Sequence, residues 1–258
     1  MNRDNPQGRV EEHHRTGTAL ERIPYPIGIR VAEVVRREEI TPRMLRLTLG
    51  GPGLDGMHTY QADDHVRIVF PDPDGTRRLP IPNDRRMLDW PRPFPRTRKY
   101  TIRRYDAAAR ELDLDFVLHE GGLASEWAGN ARIGEEVAVA GPPGAKSFPH
   151  NYDHYVFAVD STALPALGRW LDESPADVSA TAVVDGDADY PLAERDGVRI
   201  VRGDLGETVR GLALPEGRTF LFAAGEADAL KPLRSWSKGR MDGLFTGYWK
   251  RGVVEFED

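Results

Sequence analysis

The hydrophobic rhythm of this 258-residue chain changes once, near residue 141, and that change constrains the fold more than any other feature. Upstream of it, apolar and polar residues alternate with period two. Leu45, Leu47 and Leu49 are interleaved with Arg46 and Thr48, and Val66, Ile68 and Phe70 with Arg67 and Val69. Leu112, Leu114, Phe116 and Leu118 repeat the pattern around Asp113, Asp115 and Val117. Successive strand side chains point to opposite faces, so such alternation, broken by Gly, Pro and Asp clusters, marks half-buried antiparallel strands. Residues 99–105 and 111–119, joined by 106–110, read as a hairpin, and several such strands before residue 140 imply a small β-barrel.

Gly-Pro-Pro-Gly-Ala-Lys at 141–146 is punctuated as a domain junction would be. Beyond it the rhythm is strand, helix, strand. Strands are expected at 155–159, 178–184, 198–201 and 219–223, and helices at 163–171, 207–212 and 227–237. That order favours a parallel sheet covered on both faces. The chain is therefore expected to have two domains: an antiparallel β-barrel over 28–148 and an α/β parallel-sheet domain over 149–258. Residues 1–27 are polar and read as an irregular tail, in which His13 and His14 are a solvated pair rather than metal ligands.

Composition narrows the chemistry. The chain has no cysteine, which removes disulfides, thiolate zinc sites, iron–sulfur clusters and cysteine nucleophiles together. Electron chemistry would need an organic cofactor or a metal arriving with the substrate. A formal net charge of −6 argues against a general nucleic-acid binder. No apolar run approaches the ~20 residues of a membrane helix. The N-terminus lacks the apolar core of a signal peptide, so the cytoplasm is the expected location, without membrane insertion.

Against this acidic background, residues 77–110 hold eleven Arg or Lys and only three Asp, a local surplus of eight cations that points to an anionic ligand. Within it lies Arg98-Lys99-Tyr100-Thr101-Ile102-Arg103. A flavin dinucleotide needs cations for its pyrophosphate, an aromatic face for its ring system and a hydrogen bond near its reactive edge. Arg, Tyr and Thr supply these in turn, although an ordinary amphipathic strand has the same residues. His119-Glu120-Gly121-Gly122-Leu123-Ala124-Ser125-Glu126-Trp127-Ala128 comes after a strand and opens a helix, where unpaired backbone N–H groups favour phosphate. A plain strand-to-helix connection reads the same way.

The two stretches, in this order and about twenty residues apart, resemble the siderophore-interacting protein family, ferric-siderophore reductases of the ferredoxin-NADP reductase superfamily. Ser161-Thr162-Ala163-Leu164-Pro165-Ala166, Ala224-Gly225-Glu226-Ala227 and Gly247-Tyr248-Trp249-Lys250-Arg251-Gly252 add to the resemblance, which spans residues 28–258. It implies an FAD-binding barrel followed by a nicotinamide-binding domain. By resemblance, Arg98 meets the flavin phosphate, Tyr100 lies against the flavin, and Thr101 and Ile102 approach its reactive edge. His119, Gly122, Ala124 and Ser125 form the second wall. Asp160, Ser161 and Thr162, with Gly225 and Glu226, meet the nicotinamide cofactor, NADPH or NADH. Two positions depart from the family: Val159 where Gly is common, which would narrow the cofactor turn, and Leu123 where Pro is common.

Lys231, Arg234 and Lys238 fall on one helical face, either a solvated surface or a docking site for an anionic ferric siderophore. Tyr248 and Trp249 are core aromatics or lie beside the flavin. The implied chemistry is transfer of electrons from NAD(P)H through FAD to chelated Fe(III), with no catalytic side chain required. The alternatives are a quinone or diaphorase-type reductase, and a siderophore-binding flavoprotein reduced by ferredoxin.

Overall fold

The computed structural model describes residues 2–254 and Phe256. The chain divides into two compact units, one of residues 1–11 and 21–147, the other of residues 12–20 and 148–258. Helix α1 (Pro6–Thr16) precedes the first strand. The strands of the first unit are β1 (Glu21–Pro24), β2 (Ile29–Thr41), β3 (Met44–Gly50), β4 (His65–Val69), β5 (Ile81–Pro82), β6 (Leu88–Asp89), β7 (Thr97–Asp106), β8 (Glu111–Val117), β9 (Glu136–Ala140) and β10 (Gly144–Ser147). Helix α2 (Leu123–Asn130) lies between β8 and β9.

Six of these strands close an antiparallel barrel in the order β2-β3-β8-β7-β4-β9. The period-two residues explain its core. Leu45, Leu47 and Leu49 of β3 stand opposite Phe116, Leu114 and Leu112 of β8, and all six are buried. Each such side chain contributes roughly 1.5–3 kcal/mol when removed from water. Of the interleaved polar residues Thr48, Asp113 and Asp115 are buried and Arg46 is half-buried, so their charges need partners. Arg46 grips Asp115 through two hydrogen bonds of 2.6 and 2.8 Å, while Asp113 accepts from Thr48 at 2.7 Å and from Arg104 at 2.8 Å.

Residues 1–27 are not the irregular tail expected from their polarity. They contain α1 and β1, and Val10, Ile23 and Tyr25 form a small core with Ala145. The apolar residues are too far apart in sequence to show either period, and β1 obtains its ladder from the distant β10, opposite Gly144 to Ser147. The Pro/Gly stretch at 141–146 thus leads into a strand.

In the second unit the strands are β11 (His154–Asp160), β12 (Ala180–Asp185), β13 (Val198–Arg202), β14 (Thr219–Glu226) and β15 (Asp242–Trp249). Its helices are α3 (Leu164–Glu173), α4 (Leu205–Arg210) and α5 (Ala227–Ser237). The sheet is parallel, in the order β13-β12-β11-β14-β15. Strand β11 shows why both faces are covered. Tyr155 and Phe157 pack against Trp170 of α3, with ring centroids 5.2 and 4.5 Å apart. Val156 and Ala158 join Leu205 and Val209 of α4 and Leu230 and Leu233 of α5. The strand order reverses between β11 and β14, and ligands of open α/β sheets bind in the crevice at such strand ends.

The two tail histidines are not solvated. His13 is buried, with a ring nitrogen 2.9 Å from the Ala19 carbonyl. His14 stacks on His150 at 3.9 Å and 17°, and its carbonyl accepts from the His150 amide at 2.7 Å. Among the described residues no helix is long and apolar enough to cross a membrane.

The packing of this N-terminal segment has two measurable consequences. Val10→Ala should cost about 1–2 kcal/mol of stability in denaturant unfolding; a loose tail would show no loss. Burial, with His14 and His13 nearby, holds His150 down to about 3. The unfolded chain therefore binds the extra proton first, and stability should fall as pH drops from about 6.5 toward 3. Denaturant midpoints between pH 7.5 and 4.5 should fall less steeply for His150→Gln than for the unsubstituted protein.

Candidate functional site

In the barrel unit, the candidate site is set by strand β7 and the turn into α2. Arg98 and Tyr100 stand opposite Ile68 and Val66 of β4 and share their face, whereas Lys99 and Thr101 stand opposite Arg67 and His65. Arg98 is half-buried and donates to the Thr97 carbonyl at 2.7 Å. Tyr100 packs on Phe116 with centroids 4.2 Å apart, and burial pushes its phenol well above its ordinary range. Phe116 in turn meets Trp127 of α2 at 5.8 Å. This aromatic run from β7 through β8 brings the Arg98–Thr101 stretch and α2 together. Thr101 is buried, and Ile102 is fully buried in the barrel core, its N–H donated to the Asp64 carbonyl at 2.8 Å.

The turn before α2 is built on two glycines. Gly121 has φ +73°, a left-handed conformation that glycine adopts without strain. At Gly122 a Cβ would lie 2.2 Å from the His119 ring, so only glycine lets the exposed imidazole fold down over the turn. Ser125 is spent on closing it: its hydroxyl accepts from the His119 N–H and donates to the His119 carbonyl, both at 2.8 Å. Gly122 caps α2 without a side-chain hydrogen bond, and Ala124 is buried just behind it. This leaves the first N–H groups of the helix without a side-chain cap, as an anionic pyrophosphate requires. The residues present therefore fit FAD.

In the α/β unit, the expected cofactor residues converge at the strand ends, but their carboxylates serve the protein. Asp160 Oδ1 accepts from the Thr162 N–H at 2.8 Å and its hydroxyl at 2.6 Å; Oδ2 accepts from the Glu226 N–H at 2.9 Å and the Trp249 indole N–H at 2.8 Å. Burial pushes this carboxyl up, and the four donors pull against that shift. Ser161 Oγ accepts from the Asp187 N–H at 2.9 Å, tying the ends of β11 and β12 together. Glu226 caps α5 through the Ala229 N–H at 2.7 Å and accepts from the Arg251 N–H at 3.1 Å. Gly225 is required because a Cβ there would lie 2.5 Å from the Asp160 carboxyl. Val159 is fully buried in β11, so its side chain does not stand in the turn.

Two of the α5 cations are engaged within the protein. Lys231 pairs with Asp228 at 2.6 Å, and Arg234 donates to the Phe245 carbonyl at 3.4 Å and lies 5.4 Å from its ring. Lys238 is the C-cap residue of α5. A second cationic group, not singled out in the sequence, surrounds His65 on the barrel. Burial together with the charges of Lys99, Arg67 and Lys146 holds this imidazole down to about 4. The contributing strands are β4, β7 and β10, too distant in sequence for spacing to reveal them; only the local surplus of cations hinted at it.

The chain is similar to known proteins over most of its length. The profile described as siderophore-interacting FAD-binding domain matches residues 33–146, and that described as siderophore-interacting protein matches residues 152–252. A crystal structure of a siderophore utilization protein from T. fusca superposes with a TM-score of 0.84 at 38% identity, covering 92% of this chain and 98% of that one. Ferric vibriobactin reductase ViuB of Vibrio cholerae is 30% identical over 257 residues, 92% of this chain and 93% of its own. The NADPH-dependent ferric-chelate reductase of Escherichia coli is 31% identical over 225 residues, 83% of this chain and 88% of its own. The chain belongs to the siderophore-interacting family of FAD-binding reductases.

Proposed function

We propose that the protein is a ferric-siderophore reductase that takes electrons from NAD(P)H, holds FAD in its barrel unit and delivers electrons singly to chelated Fe(III). The observation that carries this reading is the joining of Arg98, Tyr100 and an α2 N-terminus without a side-chain cap by the Tyr100–Phe116–Trp127 run. Bound FAD supplies the change from two-electron to one-electron chemistry. The protein's own part is to hold and orient. Arg98 and the α2 amides neutralise pyrophosphate charge, Tyr100 gives a flat face, and Thr101 and Ile102 fix the strand at the reactive edge. His119 closes over Gly122 beside Ala124, and Ser125 locks that turn. At the sheet ends Asp160, Ser161, Thr162, Gly225 and Glu226 shape the nicotinamide crevice. Iron arrives in its chelator and is released from it as Fe(II), so protein ligands are not needed.

For the anionic ferric chelate two docking faces are open to test. One is Lys231, Arg234 and Lys238 on α5. The other is Arg67 and Lys99, cross-strand partners on β4 and β7, with Lys146 on β10.

The central test is anaerobic mixing of the purified flavoprotein with NADH or NADPH, then with a ferric siderophore and an Fe(II) indicator. Bleaching of the flavin and release of Fe(II) are expected. Reduction of quinones alone would favour the diaphorase alternative, and reduction only by ferredoxin would replace the donor. Arg98→Ala should weaken FAD binding by about 10-fold or more, as loss of a charge-assisted contact predicts. Arg110→Ala, in the hairpin turn, should not. Gln substitution of the three cations on the correct face should raise KM for an anionic chelate and leave that for a neutral quinone unchanged; the other triple substitution should change neither KM.

A further inference from the structure

In the first unit, the two-stranded ribbon of β5 and β6 turns large apolar side chains outward. Ile81 stands opposite Asp89, and Pro82 opposite Leu88. Side chains alternate across a strand, so Ile81, Met87 and Asp89 share one face, and Pro82, Leu88 and Trp90 the other. The second face is used up: Leu88 and Trp90, with Leu79, pack on Val69, Ala138 and Ala140 on the outside of the barrel. The first face is not. Ile81 is 70% exposed and Met87 42%. Just past β6, Phe94 tilts against Trp90 at 4.7 Å and stays 45% exposed. A single exposed apolar residue is ordinary, but three within fourteen residues on one ribbon make a patch. Pro80 and Pro82 flank Ile81 and remove two backbone N–H groups, which denies this edge to an incoming strand. Whatever covers the patch meets its side chains.

Area and charge say what that is. Three partly covered side chains offer on the order of a few hundred Å², short of the roughly 800 Å² per partner that a stable protein interface buries. A bilayer surface sets no such threshold. It takes apolar tips into the boundary between headgroups and acyl chains, accepts indole at the interface and, where its lipids are anionic, attracts basic residues. The charges around the patch fit that partner. Arg77, Arg78 and Arg86 are paired with Glu136, Asp72 and Asp4. Arg85 in the turn and Arg92 beside Phe94 are exposed and make no ion pair among the described residues. Arg67 and Lys99 stand opposite each other on the same outer barrel face, next to the Ala140 and Val69 that support the ribbon. Against these four cations are two exposed carboxylates, Asp84 and Asp89, and Asp89 already accepts from the Asn83 amide at 2.8 Å. We propose that the β5–β6 ribbon docks the protein on an anionic bilayer surface, with Ile81, Met87 and Phe94 in the headgroup layer and Arg85 and Arg92 on lipid phosphates. An anionic surface repels a chain of net charge −6 at large, so this cation-bearing face sets the orientation of approach.

The test is sedimentation of the full-length, FAD-loaded protein with vesicles of phosphatidylglycerol and phosphatidylcholine in equal parts, and with vesicles of phosphatidylcholine alone. Partitioning onto the mixed vesicles should be about 10-fold stronger or more, and should fall as NaCl rises from about 0.05 to 0.5 M. Ile81→Ser, Met87→Ser and Phe94→Ser combined should lower it about 10-fold with every charge retained. Arg85→Gln with Arg92→Gln should lower it about 10-fold with the apolar side chains retained. Val35→Ser removes a side chain 40% exposed on β2 and should leave partitioning within about twofold. Thermal unfolding by circular dichroism shows that each variant is folded; if the triple Ser variant is not, the arginine pair decides. No partitioning by the unsubstituted protein overturns the proposal. Equal partitioning onto phosphatidylcholine, or indifference to the ribbon substitutions, overturns it as well. A dimer seen by light scattering and dissociated by the ribbon substitutions, with no vesicle binding, would overturn it in favour of a second copy of the chain.

Discussion

The carboxylate of Asp160 is the constraint on which the second unit's strand ends depend. A buried charge is tolerated only when its lone pairs are filled, and an orphaned one costs several kcal/mol. Here the donors come from three places: Thr162 in the adjoining turn, the Glu226 N–H at the end of β14 and the Trp249 indole at the end of β15. Satisfying one carboxylate therefore sets the spacing of β11, β14 and β15 at the crevice. It also dictates Gly225, because no other residue lets β14 pass at that distance.

Asp64 plays the corresponding part in the barrel unit. It is buried, and one oxygen is within hydrogen-bond distance of the Tyr60 N–H, the Gln61 N–H, the Thr59 hydroxyl and the Tyr25 hydroxyl, at 2.8 to 3.2 Å. Its carbonyl accepts the Ile102 N–H, which fixes β7 one residue beyond Thr101. Each candidate site is thus supported from behind by an acid that gathers four donors. Such networks are costly when incomplete and rigid when complete, and rigidity of the supporting residues is what holds a binding geometry to within fractions of an ångström.

This arrangement explains what the sequence revealed. Local patterns were enough for β3, β8 and α5, since period-two alternation and helical spacing are properties of a single segment; α5 spans the expected residues 227–237. What escaped depends on partners far along the chain. β1 is a strand because β10 pairs with it, and the His65 group exists because β4, β7 and β10 meet. Asp160 and Glu226 were legible as important residues, but their hydrogen bonds show that they shape the crevice with carboxylates already committed to Trp249, Arg251 and backbone amides. Val159 looked obstructive in the sequence because a strand's last residues cannot be told from its turn; burial settles on which side of that boundary it lies.

The charge distribution has its own logic. On α5, Asp228 draws both Lys231 and Lys250, at 2.6 and 3.4 Å, so the field of these lysines is partly cancelled close to the surface. The half-buried imidazole of His65 lies near cations, and desolvation together with their charge disfavours its proton, holding it down to about 4. A histidine titrating near 6.5 would add and remove a charge within the physiological range. Held neutral instead, it leaves the charge contributed by Arg67, Lys99 and Lys146 constant across that range. Cations of constant charge act on anions with a strength governed by ionic strength and hardly by pH.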